Sequence, residues 1–335
     1  MNRAMRAALT AVTAAAALLS GCARSSPAAE PYIPELSPAY EEGCVTPPFW
    51  VVSDEETGAQ VFLMGSMHAG KEDAKYPEYV LNALRSSSYI APEMDTVAFA
   101  GDIPLQRKCV EYMRLKSGTA EDCIGDDYSA VREFFEQKGI YQDGMDGMIP
   151  YYWASAASGL VLEAAGLDSA FGSETVLLNM ARSEGKQIRE IEGGEAQYKV
   201  LGDIPMSVQL DLLRECADEE SIKLQAESSI ELYEAWSGFD SEYISGLSVY
   251  DTENAGNTEE WQSYYDMMYT DRQELMTRFI TDSLQAGERG FVFVGAMHFY
   301  AEPSIITLLE QSGYTVEEIR PERSESSKKE ITPAA

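Results

Sequence analysis

The chain has only two histidines among its 335 residues, and both stand in the same setting. "VFLMGSMHAG", residues 61–70, carries His68, and "FVFVGAMHFY", residues 291–300, carries His298. Each apolar run ends in Gly, a small residue, Met and His. Imidazole is the commonest metal ligand and the natural general base near neutral pH, so two in matched contexts point to one shared site. Gly65 and Gly295 would let the backbone turn tightly or approach a ligand closely. Glu93, in "APEMD", is the third candidate. A carboxylate there completes a two-histidine, one-carboxylate metal site, or orients a histidine that acts as base. Asp95 would point to the same face if that strand continues, as a supporting residue behind the ligands. Ser66 lies beside His68, yet no GxSxG elbow is present, so it reads as a small packing residue. HExxH, P-loop and GxGxxG patterns are absent.

These residues need elements that bring them together. "FWVVSDEETGAQVFLMGSMH" reads as two strands joined by a turn at "DEETGA", the second running into His68. "YPEYVLNALRSS" is a short helix and "SSYIAPEMD" a brief strand ending at Glu93. The middle, about residues 97–240, is mainly helical in pattern: "AVREFFEQKGI", "YYWASAASGLVLEAAGL", "GSETVLLNMARSEGK" and "SVQLDLLRECADEESIKLQ". "QIREIE", 187–192, is its single strand candidate. The Tyr and Met group in "SYYDMMYT" reads as a helix packing face. "DRQELMTRFITDSLQAG" is an amphipathic helix closed by Gly287, and "RGFVFVGAMH" is a buried strand. "EPSIITLLEQSG" is a helix with Pro303 early and Gly313 as its cap, and "YTVEEI" is the last strand. Alternating strands and helices predict an α/β sheet, with both histidines at carboxyl ends of strands, where ligands bind in such folds.

The ends and the composition bound the setting. "MNRAMRAALTAVTAAAALLSGC" has Arg3 and Arg6 ahead of an apolar stretch with signal-peptide proportions, and Leu19-Ser20-Gly21-Cys22 looks like a lipobox. Residues 1–22 are therefore expected to be a leader, with Cys22 the lipidation site. Residues 23–43 read as a tether rich in Ser, Ala, Pro and Glu, 44–320 as one domain and 321–335 as a disordered tail. The expected location is a bacterial cell membrane, lipid-anchored and facing outside the cytoplasm. The formal charge of −31 repels phosphate backbones and makes nucleic acid an unsuitable partner, while favouring cations. Cys44, Cys109, Cys123 and Cys216 form no CxxC pair and none neighbours a histidine, which leaves a zinc ribbon or thioredoxin-like motif unsupported. One or two disulfides, with Cys109 to Cys123 the most local, and free buried thiols are alternatives that spacing leaves open.

The "FLMGSMHAG" and "YIAPEMD" strands, the helix with "DRQELM" and the terminal "FVFVGAMHFYAEPSIITLLEQSGYTVEEI" together resemble the TraB/GumN family. That family is related to the TIKI metalloproteases and more distantly to erythromycin esterase and ChaN-like proteins. Its marks are two GxxH motifs near opposite ends of the domain, an acidic residue soon after the first and an Arg on the helix before the second. Weaker matches are "GLDSAFGSETVLLNMARSEGKQIREIE" and "ELYEAWSGFD", so the resemblance covers most of residues 50–320. It implies an α/β fold of the erythromycin-esterase/ChaN-like kind, a mixed central sheet flanked by helices with a largely helical middle section. It implies His68, Glu93 and His298 as the active constellation, with Arg272 binding a substrate carboxylate or stabilising an oxyanion. Pro92 before Glu93, and Phe299-Tyr300 after the second motif, depart from the family pattern and bear on the width of the site.

The activity implied is that of a lipid-anchored extracytoplasmic metallohydrolase acting on peptides or small molecules. His68, His298 and Glu93 would hold a divalent ion such as Mn²⁺, Co²⁺ or Zn²⁺, with Glu93 as ligand or general base. Two alternatives stand beside it: a metal-independent, esterase-like hydrolase with His as base, and a haem- or metal-binding lipoprotein without catalysis.

Overall fold

The computed structural model describes residues 32–248 and 258–322. The expected leader with Cys22, residues 23–31 of the tether and residues 323–335 of the tail lie outside the described residues. Of the tether, Pro38 and Tyr40 hydrogen-bond along Glu322.

The predicted hairpin forms: β1 (Phe49–Ser53) runs antiparallel to β2 (Gln60–Ser66), with Phe49 opposite Met64 and Ser53 opposite Gln60. Asp54 closes its turn, the carbonyl accepting the Gly58 N–H and the side chain that of Glu56. The helix Glu78–Ser86 leads to β3 (Tyr89–Pro92). β4 is the short pair Gln187–Ile188, β5 is Arg289–Gly295 and β6 is Thr315–Glu318. The strand order is β4-β3-β5-β2-β1-β6. β2, β5, β3 and β4 are parallel, and β1 lies antiparallel to both β2 and β6. The α/β class and the mixed, helix-flanked sheet are thus as the sequence predicts.

β2 and β5 read as continuous apolar runs because both faces of the sheet are covered. Val61, Phe62, Leu63, Met64, Phe291, Val292, Phe293 and Val294 are completely buried. On one face Phe62, Met64, Phe291 and Phe293 pack against Val80, Leu84, Leu177 and Trp236 from helices Glu78–Ser86, Ser173–Ser183 and Glu219–Gly238. On the other, Leu63, Val292 and Val294 meet Met276, Ile280 and Leu284 of helix Asp271–Gln285 and Leu309 of helix Ile305–Gln311. Each such side chain contributes about 1.5–3 kcal/mol by leaving water. The helical middle has its own core around Phe135, Trp153, Val208 and Leu212. No helix among the described residues is long and apolar enough to cross a membrane.

Three local expectations are corrected, and one choice left open is settled. "SVQLDLLRECADEESIKLQ" is two helices, Met206–Arg214 and Glu219–Gly238, because Asp218 caps the second by accepting the Ser221 N–H. "QIREIE" is strand only at Gln187–Ile188, although Arg189 and Ile191 still donate to the carbonyls of Ile90 and Pro92 and carry the segment along β3. Pro303 lies outside its helix, which begins at Ile305 with Ser304 as cap. No disulfide forms among Cys44, Cys109, Cys123 and Cys216; all four are free thiols, Cys109 and Cys123 sitting on separate helices.

Candidate functional site

Strand register decides the site. β2 and β5 are parallel neighbours with Gly65 opposite Val294 and Ser66 opposite Gly295, so both Gly-x-x-His turns leave the sheet at the same edge. β3 lies on the other side of β5, with Pro92 opposite Phe293, and delivers Glu93 to that edge too.

The turn carrying His68 is clamped to the start of helix Ser173–Ser183. Ser173 donates N–H and Oγ–H to the Met67 carbonyl, and its Oγ accepts the Met67 N–H at 2.6 Å. Gly172 lies so close that a Cβ there would stand 2.2 Å from the His68 carbonyl oxygen. Only glycine permits that approach. The next residue, Glu174, places Oε1 3.0 Å from His68 Nδ1 and accepts Ser66 Oγ–H on the same oxygen. Ser66 is therefore a buried donor to this carboxylate, consistent with its reading as something other than a nucleophile. The His68 side chain keeps 34 % of its surface open, and its Nε2 faces the cavity.

His298 sits on a short 3₁₀ turn, Ala296–Phe299, that ends β5. Gln273 holds the turn by donating to the carbonyls of His298 and Ala301. The imidazole is 5 % exposed, its Nε2 is 3.7 Å from Glu93 Oε1, and its ring lies 5.6 Å from that of Tyr269. Its Nδ1 is buried with no hydrogen-bond partner among the described residues.

Glu93 ties the set together. Oε1 accepts the Gly295 N–H at 2.6 Å; Oε2 accepts Arg272 Nη2 at 2.5 Å and Gln197 Nε2 at 3.0 Å. Arg272 also grips Glu192, through Nε and Nη2 at 2.7 Å each. Asp95 does not join them. β3 stops at Pro92, and Asp95 instead caps helix Thr96–Gly101 and pairs with Arg182.

Burial and charge set the protonation states. Burial lowers the His68 pKa, but the Glu174 charge and hydrogen bond outweigh it and lift the group to about 9. For His298, burial and then the Arg272 charge act together and push it down to about 3. Burial would raise Glu93, yet Arg272 and the two histidines hold it at about 2. The edge thus carries one imidazolium, one neutral imidazole and ionised carboxylates.

Three observations bear on a cation. A Cβ built on Gly295 would lie within 4 Å of Glu93 Oε1, His298 Cδ2 and His68 Nε2, so the three side chains surround one small cradle that only glycine leaves open. Two imidazoles and a carboxylate are the donor chemistry of catalytic zinc-type sites. Metal-binding histidines also give their other ring N–H to a carboxylate, as His68 gives Nδ1–H to Glu174. The residue types, though not a ready-made arrangement of them, match what a divalent ion takes. Among the described residues no group of three or more His, Cys, Asp or Glu side chains stands close enough together to hold a metal ion, and Glu93 has both oxygens in hydrogen bonds.

Glu174, Glu192, Gln197 and Tyr269 were not picked out as site residues from the sequence. The available signal was "GSET" opening a helix: a Gly and Ser for close approach, then a carboxylate in the first turn. Matching with known families finds that the model of the TraB/PrgY/gumN family covers residues 48–318, from the edge of β1 to the end of β6. No curated protein and no solved structure matches the chain.

Proposed function

The chain belongs to the TraB/PrgY/gumN family, and on that premise we propose that it is a metal-dependent hydrolase of peptide-like or small ester and amide substrates. The observation that carries the reading is the pairing of Ser66 with Gly295 across β2 and β5, which delivers both histidines to one cradle with Glu93 bonded to its rim. His68, His298 and Glu93 would hold the ion. A bound divalent cation supplies a Lewis acid for the scissile carbonyl and lowers the pKa of water to about 7.

The chain's own residues prepare that chemistry. Burial keeps His298 unprotonated, so a nitrogen lone pair is available at neutral pH. Glu174 fixes His68 through Nδ1 and leaves Nε2 toward the cavity, where an incoming ion would displace the proton that the Glu174 charge favours. Arg272 holds Glu93 ionised and oriented while Glu192 balances the guanidinium. Glu93, Glu174 and Glu192 outnumber Arg272 and the His68 imidazolium by one, and that excess of negative charge draws a cation to the edge.

A second reading is supported by the opposite displacement of the two histidines, to about 9 and about 3. Groups whose environments push their pKa values apart are natural acid and base partners. There, protonated His68 would act as the general acid without a metal. In either case the enzyme is proposed to work outside the cytoplasm, anchored through Cys22.

Metal content and ester or peptide hydrolysis of wild type and His298→Ala decide between them. Loss of both metal and turnover in the variant supports the first reading. Turnover that survives exhaustive chelation and disappears in His68→Ala supports the second. Equal metal content in wild type and His298→Ala removes the shared-ion reading.

A further inference from the structure

The polar edge formed by His68, Glu93 and His298 is one end of a cavity of about 170 Å³. Most of the remaining lining is apolar or aromatic, among it Met94, Phe99, Tyr198, Val200, Tyr264 and Met268, alongside the polar Thr96, Ser169, Thr175 and Gln197. An apolar protein cavity of about 150 Å³ takes a benzene ring, so the space matches one ring or a short alkyl chain. Met268 lies in a π-helical turn, Asp266–Thr270, immediately before the helix that carries Arg272. Such turns recur at functional sites because they re-aim neighbouring side chains.

The one guanidinium at the cavity is closed within the protein. Arg272 is the one Lys or Arg among the cavity's lining residues, and each of its three nitrogens is engaged. Nε donates to Glu192, Nη2 to Glu93 and Glu192, and Nη1 to the Met268 carbonyl at 3.3 Å. A substrate carboxylate or phosphate would find no free guanidinium. Away from His68, whose Nε2 faces the cavity, an anion set against the apolar side chains would be a buried charge without a partner.

Building on the hydrolase reading, we infer that the group flanking the scissile bond is uncharged and apolar, about one aromatic ring or a hexanoyl chain in size. The substrate class is then an ester or amide of a short aliphatic or aromatic acid. Water's oxygen bonds to the acyl carbon, the C–O or C–N bond breaks, and the alcohol or amine leaves with the proton.

Two measurements test it. Binding of the neutral one-ring fluorophore 4-(dimethylamino)benzonitrile is read by its emission, in wild type and in Met268→Glu and Val200→Glu, both partly exposed positions whose folding is checked by circular dichroism. Hydrolysis of p-nitrophenyl hexanoate is compared with that of the acetate. Saturable binding that hexanol displaces, at least tenfold weaker in the two variants, is expected, as is a kcat/KM at least about tenfold higher for hexanoate, since each buried methylene is worth about 0.8 kcal/mol. Acetate turned over as well as hexanoate, with no saturable binding of the fluorophore, overturns the apolar assignment and leaves the hydrolase reading standing. Saturable, variant-sensitive binding with no hydrolysis of any ester or amide does the reverse.

Discussion

Glu93 Oε1 accepts the backbone N–H of Gly295 at 2.6 Å, which joins the residue after β3 to the last residue of β5. A single carboxylate thereby orders two loops, and its other oxygen holds Arg272.

Glu93→Gln keeps the shape and removes the charge. Turnover is expected to fall by about 10²–10⁴-fold, the usual worth of a positioned acid–base group. Stability should fall by only about 1–3 kcal/mol, the cost of weakening buried hydrogen bonds, because Arg272 keeps Glu192 as partner. Denaturant titration and steady-state kinetics check both; unchanged turnover would show that Glu93 has a structural role alone.

Gly295→Ala fills the cradle. The added methyl would sit 3.3 Å from Glu93 Oε1 and 3.9 Å from His68 Nε2, without positive φ to strain the backbone. A melting temperature within a few degrees of wild type is expected, with metal retention and hydrolysis reduced at least about tenfold, since a misplacement near 1 Å costs on the order of 10²-fold. Full activity in this variant would place the reacting atoms elsewhere.

With only two histidines, proton NMR resolves each imidazole. In the metal-free protein one signal should titrate near pH 9 and the other remain neutral down to about pH 3. Glu174→Gln should bring the high midpoint down toward 6.5. Stability follows the same shifts. Raised His68 contributes below its unfolded value of 6.5, and that contribution is lost as pH rises through about 9. Depressed His298 contributes above 6.5 and loses its share as pH falls toward about 3. Glu93 adds to the acid loss between 4.5 and about 2. Thermal melts should therefore decline on both sides of a maximum near pH 6.5, more steeply in acid.

Cys44, Cys109, Cys123 and Cys216 should all react with a thiol reagent in denaturant without prior reduction. Reductant should leave the melting temperature unchanged. A mass shift showing one paired bond would overturn the free-thiol arrangement.

The sheet and the histidine pair were legible in the sequence for one physical reason. β2 and β5 are buried on both faces, so each must be written as an unbroken apolar run, and a polar residue marks where it ends. His68 and His298 are those marks. The carboxylates were harder to read, because Glu174 and Glu192 act on residues far away along the chain and lie in segments that look like ordinary helix starts and strand ends. Asp95 misled because its role depended on β3 continuing past Pro92, and a competing helix cap took it instead. Cys109 and Cys123 are close in sequence, but two helices intervene in setting where their sulfurs point.

The central strand of the sheet is made after both of its neighbours. β5 lies between β2 and β3, yet residues 93–288 separate it from β3. Until about residue 295 has left the ribosome, β2 and β3 have no partner joining them, and the edge that holds both histidines does not exist. Long-range pairing of this kind folds slowly. His68, Glu93 and His298 therefore share one edge only after β5 has paired with β2 on one side and β3 on the other.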